Sequence, residues 1–271
     1  MTWTERSQQV AGRRAHYLEC GTAEASNVVV LVHAFPIGMR LWEPVAVPDG
    51  WRAIAPALPG FDGVLPPPAG STSIDDYSRA VIDLLDGLGV RDFVVGGVSM
   101  GGYAAFGVWR LAASRCRGII LADTRAGADT DQGRTSRNAM LTLVNERGSA
   151  AVAGEMIPKL LGDTTKTRRP AVVARVRELV ESQTSDGIAA AVVRMRDRPD
   201  STPLLGSITV PVLVVVGAED TLTPPAESEK MRHALPAAEL VVIPGAGHLA
   251  CLEDPPAFNA ALGRFLSSFD R

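Results

Sequence analysis

The stretch Phe93–Phe106 constrains this chain more than any other. It runs from a short apolar strand, through glycines grouped around one serine, into a helical run. Gly97-Val98-Ser99-Met100-Gly101 fits G-x-S-x-G, a tight strand-to-helix turn that lifts a serine hydroxyl above a sheet edge. Such a turn is crowded, and a Cβ two residues to either side of the serine would collide with neighbouring backbone. A chain carrying it needs a strand before, a helix after and a sheet whose edge the turn can crown. The pentapeptide alone is too common to decide a function, because Gly and Ser are abundant residues. Its meaning depends on what else the chain supplies.

The hydrophobic pattern supplies the sheet. Gln8–Gly12 and Arg14–Cys20 read as a hairpin turning at Gly12-Arg13. Val28–Val32, Trp51–Ala55, Asp92–Gly96, Arg117–Ala122, Val210–Val216 and Leu240–Ile243 are apolar runs of the kind buried on both faces of a parallel sheet. Helical patterns separate them. Ile74, Tyr77, Val81, Leu84, Leu85 and Leu88 form one face, with Ser73 available as an N-cap; Phe258, Leu262, Phe265, Leu266 and Phe269 form another. A short helix is expected near Leu41–Val45, and a Pro-rich loop over Val64–Gly70. From 126 to 200 the rhythm changes. No strand pattern occurs there, and helices centre on Met140–Val144, Val152–Leu161, Val172–Val180 and Ile188–Met195. The reading is a core domain of residues 1–125 and 201–271 with an inserted helical cap, residues 126–200, and a mostly parallel sheet of about eight strands.

In such sheets functional residues gather in loops at the carboxyl ends of strands. His33-Ala34-Phe35-Pro36 follows the first buried strand, and Ser99 follows Asp92–Gly97. Asp123 follows Arg117–Ala122, Asp220 follows Val210–Gly217, and His248 follows Leu240–Ile243. A serine, an acid and a histidine therefore stand in that chain order, each just past a strand. Of the four histidines, His16 and His233 sit in unremarkable hairpin and helix contexts, and His33 reads as a hydrogen-bonding residue of its loop. Met140, Met156 and Met195 read first as packing, with pocket lining as the alternative.

Composition narrows the partners. The 271 residues carry a net charge of -3, and no basic stripe suggests nucleic acid. The longest apolar runs fall short of the ~20 residues that span a bilayer, and the N-terminus lacks a signal-peptide core, so a cytoplasmic protein with no membrane partner is expected. Three widely spaced cysteines read as buried or idle thiols. No H-E-x-x-H spacing, Walker lysine or G-x-G-x-x-G follows, so neither a metal nor a cofactor is expected. A homodimer is compatible with all of this.

Over essentially its whole length the chain resembles α/β-hydrolase fold enzymes. The motifs that carry the resemblance are His33-Ala34-Phe35-Pro36, Ala57-Leu58-Pro59-Gly60-Phe61, Gly97–Gly102, Gly217-Ala218-Glu219-Asp220 and Gly245-Ala246-Gly247-His248. The flanks Trp42-Glu43-Pro44, Thr223-Pro224 and Leu252-Glu253-Asp254-Pro255 are similar to esterases, lactonases and cofactor-free haloperoxidases. The resemblance implies a triad of Ser99, Asp220 and His248, with Asp123 as the competing acid and otherwise an organiser of its loop. It implies an oxyanion hole from the backbone N–H groups of Phe35 and Met100. Ala34 stands where relatives often have Gly, which implies a subtle change of that loop. The expected substrate is a small ester or lactone. Carbon–carbon hydrolysis of ring-cleavage products, perhydrolysis and a triad-bearing receptor are the alternatives. Val98 stands where the carbon–carbon hydrolases commonly have Asn.

Overall fold

The structure is a computed structural model that describes residues 2–22, 24–66 and 72–270. Residues 67–70 of the expected Pro-rich loop lie outside it. Strands β1 (Thr4–Val10) and β2 (Arg13–Gly21) form the hairpin, closed by Ala11-Gly12 with φ of 48° and 76°. The turn falls one residue earlier than the sequence pattern suggests. A two-residue hairpin turn of this hand needs positive φ at both positions, and Ala11 accepts it beside Gly12.

The buried strands are β3 (Asn27–Val32), β4 (Trp51–Pro56), β5 (Phe93–Val98), β6 (Cys116–Ala122) and β7 (Val212–Gly217), with β8 (Ala238–Ile243) at one edge. The eight strands lie in the order β1-β2-β4-β3-β5-β6-β7-β8. The hairpin pairs antiparallel onto β4, and the six remaining strands are parallel to one another. Every residue of β5 and β7 is buried, as apolar runs covered on both faces require. The exposed positions of β8 mark an edge strand.

Helices flank this sheet. In α1 (Asp75–Gly87) Tyr77, Val81, Leu84 and Leu85 are buried, and the helix packs on α2 (Met100–Ala112). Ser73 Oγ accepts from the N–H of Asp75 at 3.2 Å, so the predicted cap serves the first turn although the helix proper starts one residue later. Between β6 and β7 come α3 (Asp131–Leu160), α4 (Asp163–Arg168), α5 (Pro170–Glu181) and α6 (Ser185–Arg196). The two helices expected around Met140 and Val152 run end to end within α3 and are separated by a kink at Gly148, where φ of 73° and ψ of -174° leave the helix. Threonine hydroxyls start two of these helices. Thr130 Oγ1 accepts from Gly133 N–H and Thr184 Oγ1 from Gly187 N–H. Helix α3 packs on both α5 and α6.

The last helices are α7 (Pro225–Ala234), α8 (Ala250–Glu253) and α9 (Pro255–Ser267). Asp254 caps α9 through Ala257 N–H, and Phe258, Leu262, Phe265 and Leu266 are buried, each contributing about 1.5–3 kcal/mol of burial. The short helix expected near Leu41 is a 3-10 turn over Met39–Trp42. Among the described residues no helix is long and apolar enough to cross a membrane. Cys20, Cys116 and Cys251 are buried free thiols.

Candidate active site

Ser99 sits between β5 and α2 with φ of 55°, a left-handed conformation that costs a non-glycine residue about 1–3 kcal/mol. The surroundings hold it there. Its N–H donates to Ala122 O at 2.9 Å, and its C=O accepts from Gly102 N–H at 2.9 Å and from Thr124 Oγ1 at 2.8 Å. The flanking glycines are obligatory. A Cβ on Gly97 would lie 2.2 Å from Gly101 C, and one on Gly101 would lie 2.1 Å from Val32 O.

The predicted histidine and acid meet. Asp220 Oδ2 accepts from His248 Nδ1 at 2.8 Å, and both side chains are buried. Oδ1 of Asp220 accepts the N–H groups of Leu222 and Thr223 at 2.8 and 3.0 Å, and Thr223 Oγ1 donates to Oδ2 at 2.6 Å. Burial alone would raise the Asp220 pKa. The adjacent His248 and these hydrogen bonds outweigh it and hold the carboxyl below its ordinary value. With Nδ1 committed to Asp220, Nε2 is the imidazole nitrogen left for other work.

Asp123, the competing acid, lies close to Asp220 but bonds to backbone amides. Its carboxylate accepts Gly217 N–H at 2.8 Å and Ala250 N–H at 3.0 Å, tying β7 to the start of α8. Burial and the nearby Asp220 charge push its pKa well above the ordinary carboxylate value, against the pull of those two amides. Glu253, also buried, accepts Gly247 N–H at 2.8 Å, Leu249 N–H at 3.1 Å and Gly162 N–H at 2.9 Å. His248 N–H itself donates to Leu160 O at 3.0 Å. Four consecutive backbone donors, Gly247 to Ala250, are thus each satisfied by a group outside their loop, which fixes the backbone that carries the imidazole.

Phe35 lies in the buried loop after β3, whose Phe35–Pro36 peptide is cis. Met100 opens α2, where N–H groups have no intrahelical acceptor. His33 braces the first of these loops. Its Nδ1 donates to Ala34 O at 3.1 Å, its Nε2 accepts Leu58 N–H at 3.2 Å, and its ring meets Phe61 edge-on at 4.8 Å between centroids. A buried imidazole bonded this way is neutral, and burial lowers its pKa, although Asp62 and the bond to Ala34 act the other way.

Ser99, His248, Phe35, Leu222 and Thr223 line one cavity of about 540 Å³, whose other wall comes from the helices between β6 and β7. Met140, Met156 and Met195 line it, and Met156 and Met195 are also buried in the core with Met140 packed against it, so the packing reading and the lining reading both hold. Sequence reasoning missed Thr223, Glu253 and the polar lining formed by Tyr103, Arg125, Asp129 and Arg137. Thr223 and Glu253 stood in quoted motif flanks, and that was the available signal. Arg125 and Asp129 gave none, since a loop arginine and aspartate are ordinary until the fold brings them to a cavity.

The fold and the site together define an α/β-type hydrolase architecture with a serine, a histidine and an acid at the carboxyl edge of the sheet. The chain belongs to the alpha/beta hydrolase family, whose model matches residues 29–261. A thermophilic esterase from Thermogutta terrifontis, solved with malate bound, superimposes with a TM-score of 0.91 and 33% identity, covering 98% of both chains. 3-Oxoadipate enol-lactonase 2 of Acinetobacter baylyi is 28% identical over 205 residues, 75% of this chain and 74% of its own. A 2-hydroxy-6-oxononadienedioate/2-hydroxy-6-oxononatrienedioate hydrolase of Dechloromonas aromatica is 24% identical over 263 residues, 93% of this chain and 90% of its own.

Proposed function

We propose that the protein is a serine-dependent hydrolase of carboxylic esters or lactones. The observation that carries this reading is the 2.8 Å bond from His248 Nδ1 to Asp220 Oδ2, with His248 and Ser99 on the wall of the same cavity. Ser99 Oγ attacks the substrate carbonyl while His248 Nε2 takes its proton. Asp220 holds the tautomer and stabilises the imidazolium. The N–H groups of Met100 and Phe35 receive the tetrahedral oxyanion, each worth about 3–4 kcal/mol of transition-state stabilisation. His248 returns the proton to the leaving alcohol, and water then releases the acyl group by the same route. Residues 126–200 act as a cap that shapes the acyl and alcohol subsites. The similarity to an esterase and to an enol-lactonase supports the ester and lactone class.

The test is hydrolysis of 4-nitrophenyl acetate with Ser99→Ala as the blank, together with labelling by a fluorophosphonate and mass mapping of the adduct. Turnover lost in Ser99→Ala and an adduct on Ser99 are expected. Turnover that survives the substitution, or tight ester binding with no turnover, would replace this reading with another nucleophile or a receptor.

A further inference from the structure

One wall of the cavity carries more positive charge than the fold needs. Asp129, buried, accepts Arg125 Nη2 at 2.6 Å and Arg198 Nη1 at 2.8 Å on Oδ1, and Arg137 Nε at 3.0 Å on Oδ2. Three guanidiniums therefore share one carboxylate. Burial pushes the Asp129 pKa up, but Arg137 and Arg198 outweigh it and keep the group ionised. Arg198 is a structural member. It also donates to Met195 O at 2.7 Å and Gly127 O at 2.8 Å, and lies 4.1 Å from the Tyr103 ring centroid. Counted as the partner of Asp129, it leaves Arg125 and Arg137 in surplus.

Those two line the cavity, and their side chains are only 28% and 22% exposed. Arg125 Nε is buried with no hydrogen-bond partner among the described residues. The other charged pair on the wall, Lys159 and Glu155, neutralises itself one helical turn apart. Surplus cations facing open water would mean little. Beside Met140, Leu143, Met156 and Met195 they stand in a concave surrounding with an apolar side, which strengthens their field relative to open water. The chain's net charge of -3 does not account for a local excess of the opposite sign.

We propose that the substrate is a carboxylate-bearing ester or lactone, whose free carboxylate is held by Arg125 and Arg137 while its scissile carbonyl lies at Ser99. This rests on the hydrolase reading of the same cavity and names its substrate class. The planar guanidinium fork matches a carboxylate, and two such forks around a shared Asp129 are held in place before the ligand arrives. Arg125 and Arg137 are then specificity-determining residues, and Asp129 positions them.

Two matched substrate pairs test the assignment. 4-Nitrophenyl hydrogen glutarate against its methyl ester carries the charge on the acyl side, and 4-acetoxybenzoate against its methyl ester carries it on the alcohol side. In at least one pair the anion should lead in kcat/KM by about tenfold or more, the worth of one charge-assisted hydrogen bond, and the lead should shrink with added salt. In Arg125→Gln and in Arg137→Gln that ratio should fall towards one. Because the ratio is taken within each variant, a loss of folded enzyme cancels. The proposal is overturned if neither pair favours the anion, or if the preference survives in both variants. If no ester is turned over at all, the hydrolase reading fails separately, and calorimetry with glutarate decides the anion site. Binding to the wild type that is lost in Arg137→Gln supports the site, and no binding to the wild type overturns it.

Discussion

Asp220 Oδ2 lies 2.8 Å from His248 Nδ1, whereas both oxygens of Asp123 are engaged by the backbone amides of Gly217 and Ala250. The two aspartates are neighbours in space with different partners. Asp220→Asn keeps the shape but can present an N–H to His248 and favour the wrong tautomer, so kcat should fall about 10³–10⁴-fold. Asp123→Asn leaves one of two buried amides without an acceptor, so it should cost about 1–3 kcal/mol of stability and change kcat by on the order of tenfold or less. Steady-state rates and urea midpoints of the two variants check this. A nearly active Asp220→Asn would move the acid's role to Asp123.

The distinction between these acids marks how far the sequence could be read. Strand-helix alternation and apolar runs such as Val28–Val32 announced the sheet, because burial on both faces leaves no other composition. The Gly–x–Ser–x–Gly turn and the positions of Asp220 and His248 past their strands were legible for the same reason. The separation of the helices around Met140 and Val152 was legible, and Gly148 is where the chain leaves the helix between them. What could not be read was anything set by tertiary approach. The approach of Arg198 to the Arg125, Asp129 and Arg137 group was hidden because Arg198, just past α6, lies 69 positions from Asp129, just before α3, and no local spacing encodes that contact.

Ser99 holds φ of 55° without being glycine, and the strain gives a second prediction. Ser99→Gly should match or exceed wild-type stability, by up to about 1 kcal/mol, because relief of the left-handed conformation outweighs the greater freedom of the unfolded chain. Ser99→Ala keeps the strain and should stay close to wild type. Both should be inactive. Chemical denaturation of the three proteins gives the comparison, and a Ser99→Gly variant clearly less stable than Ser99→Ala would mean that the turn is not strained.

Glu253 offers two oxygens to three amides, those of Gly162, Gly247 and Leu249. Glutamine has one acceptor oxygen and an amide nitrogen that cannot serve a second N–H. Glu253→Gln should therefore strand at least one buried donor, at about 1–3 kcal/mol. Because two of the three amides flank His248, kcat should fall as well, by on the order of tenfold through misplacement of the imidazole. Calorimetric unfolding beside kcat on 4-nitrophenyl acetate separates the effects. A stability loss with unchanged kcat would show that the loop holds His248 without this staple.

His33 predicts how stability varies with pH. Its imidazole is buried between Ala34 O and Leu58 N–H, and burial moves its pKa below the ordinary histidine value of 6.5. As pH falls through about 6.5 the unfolded chain gains a proton at this residue and the folded protein does not, so stability falls with pH from there down to the folded-state value. Asp220 acts in a different window. Its pKa is depressed from 3.8, so its contribution is intact above that value and is lost as pH falls through the lower folded one. Asp123, raised above 3.8, has the opposite sign, and the stability of its protonated form is lost as pH rises through its folded value. The difference between wild type and His33→Asn isolates the first of these. Urea unfolding at pH 7.5 and pH 5.5 should show the wild type losing on the order of 1 kcal/mol more than the variant over that interval, even though the variant is less stable throughout. Parallel losses in the two proteins would mean that His33 takes up its proton as readily when folded as when unfolded, and that the brace on the Phe35 loop does not require the neutral ring.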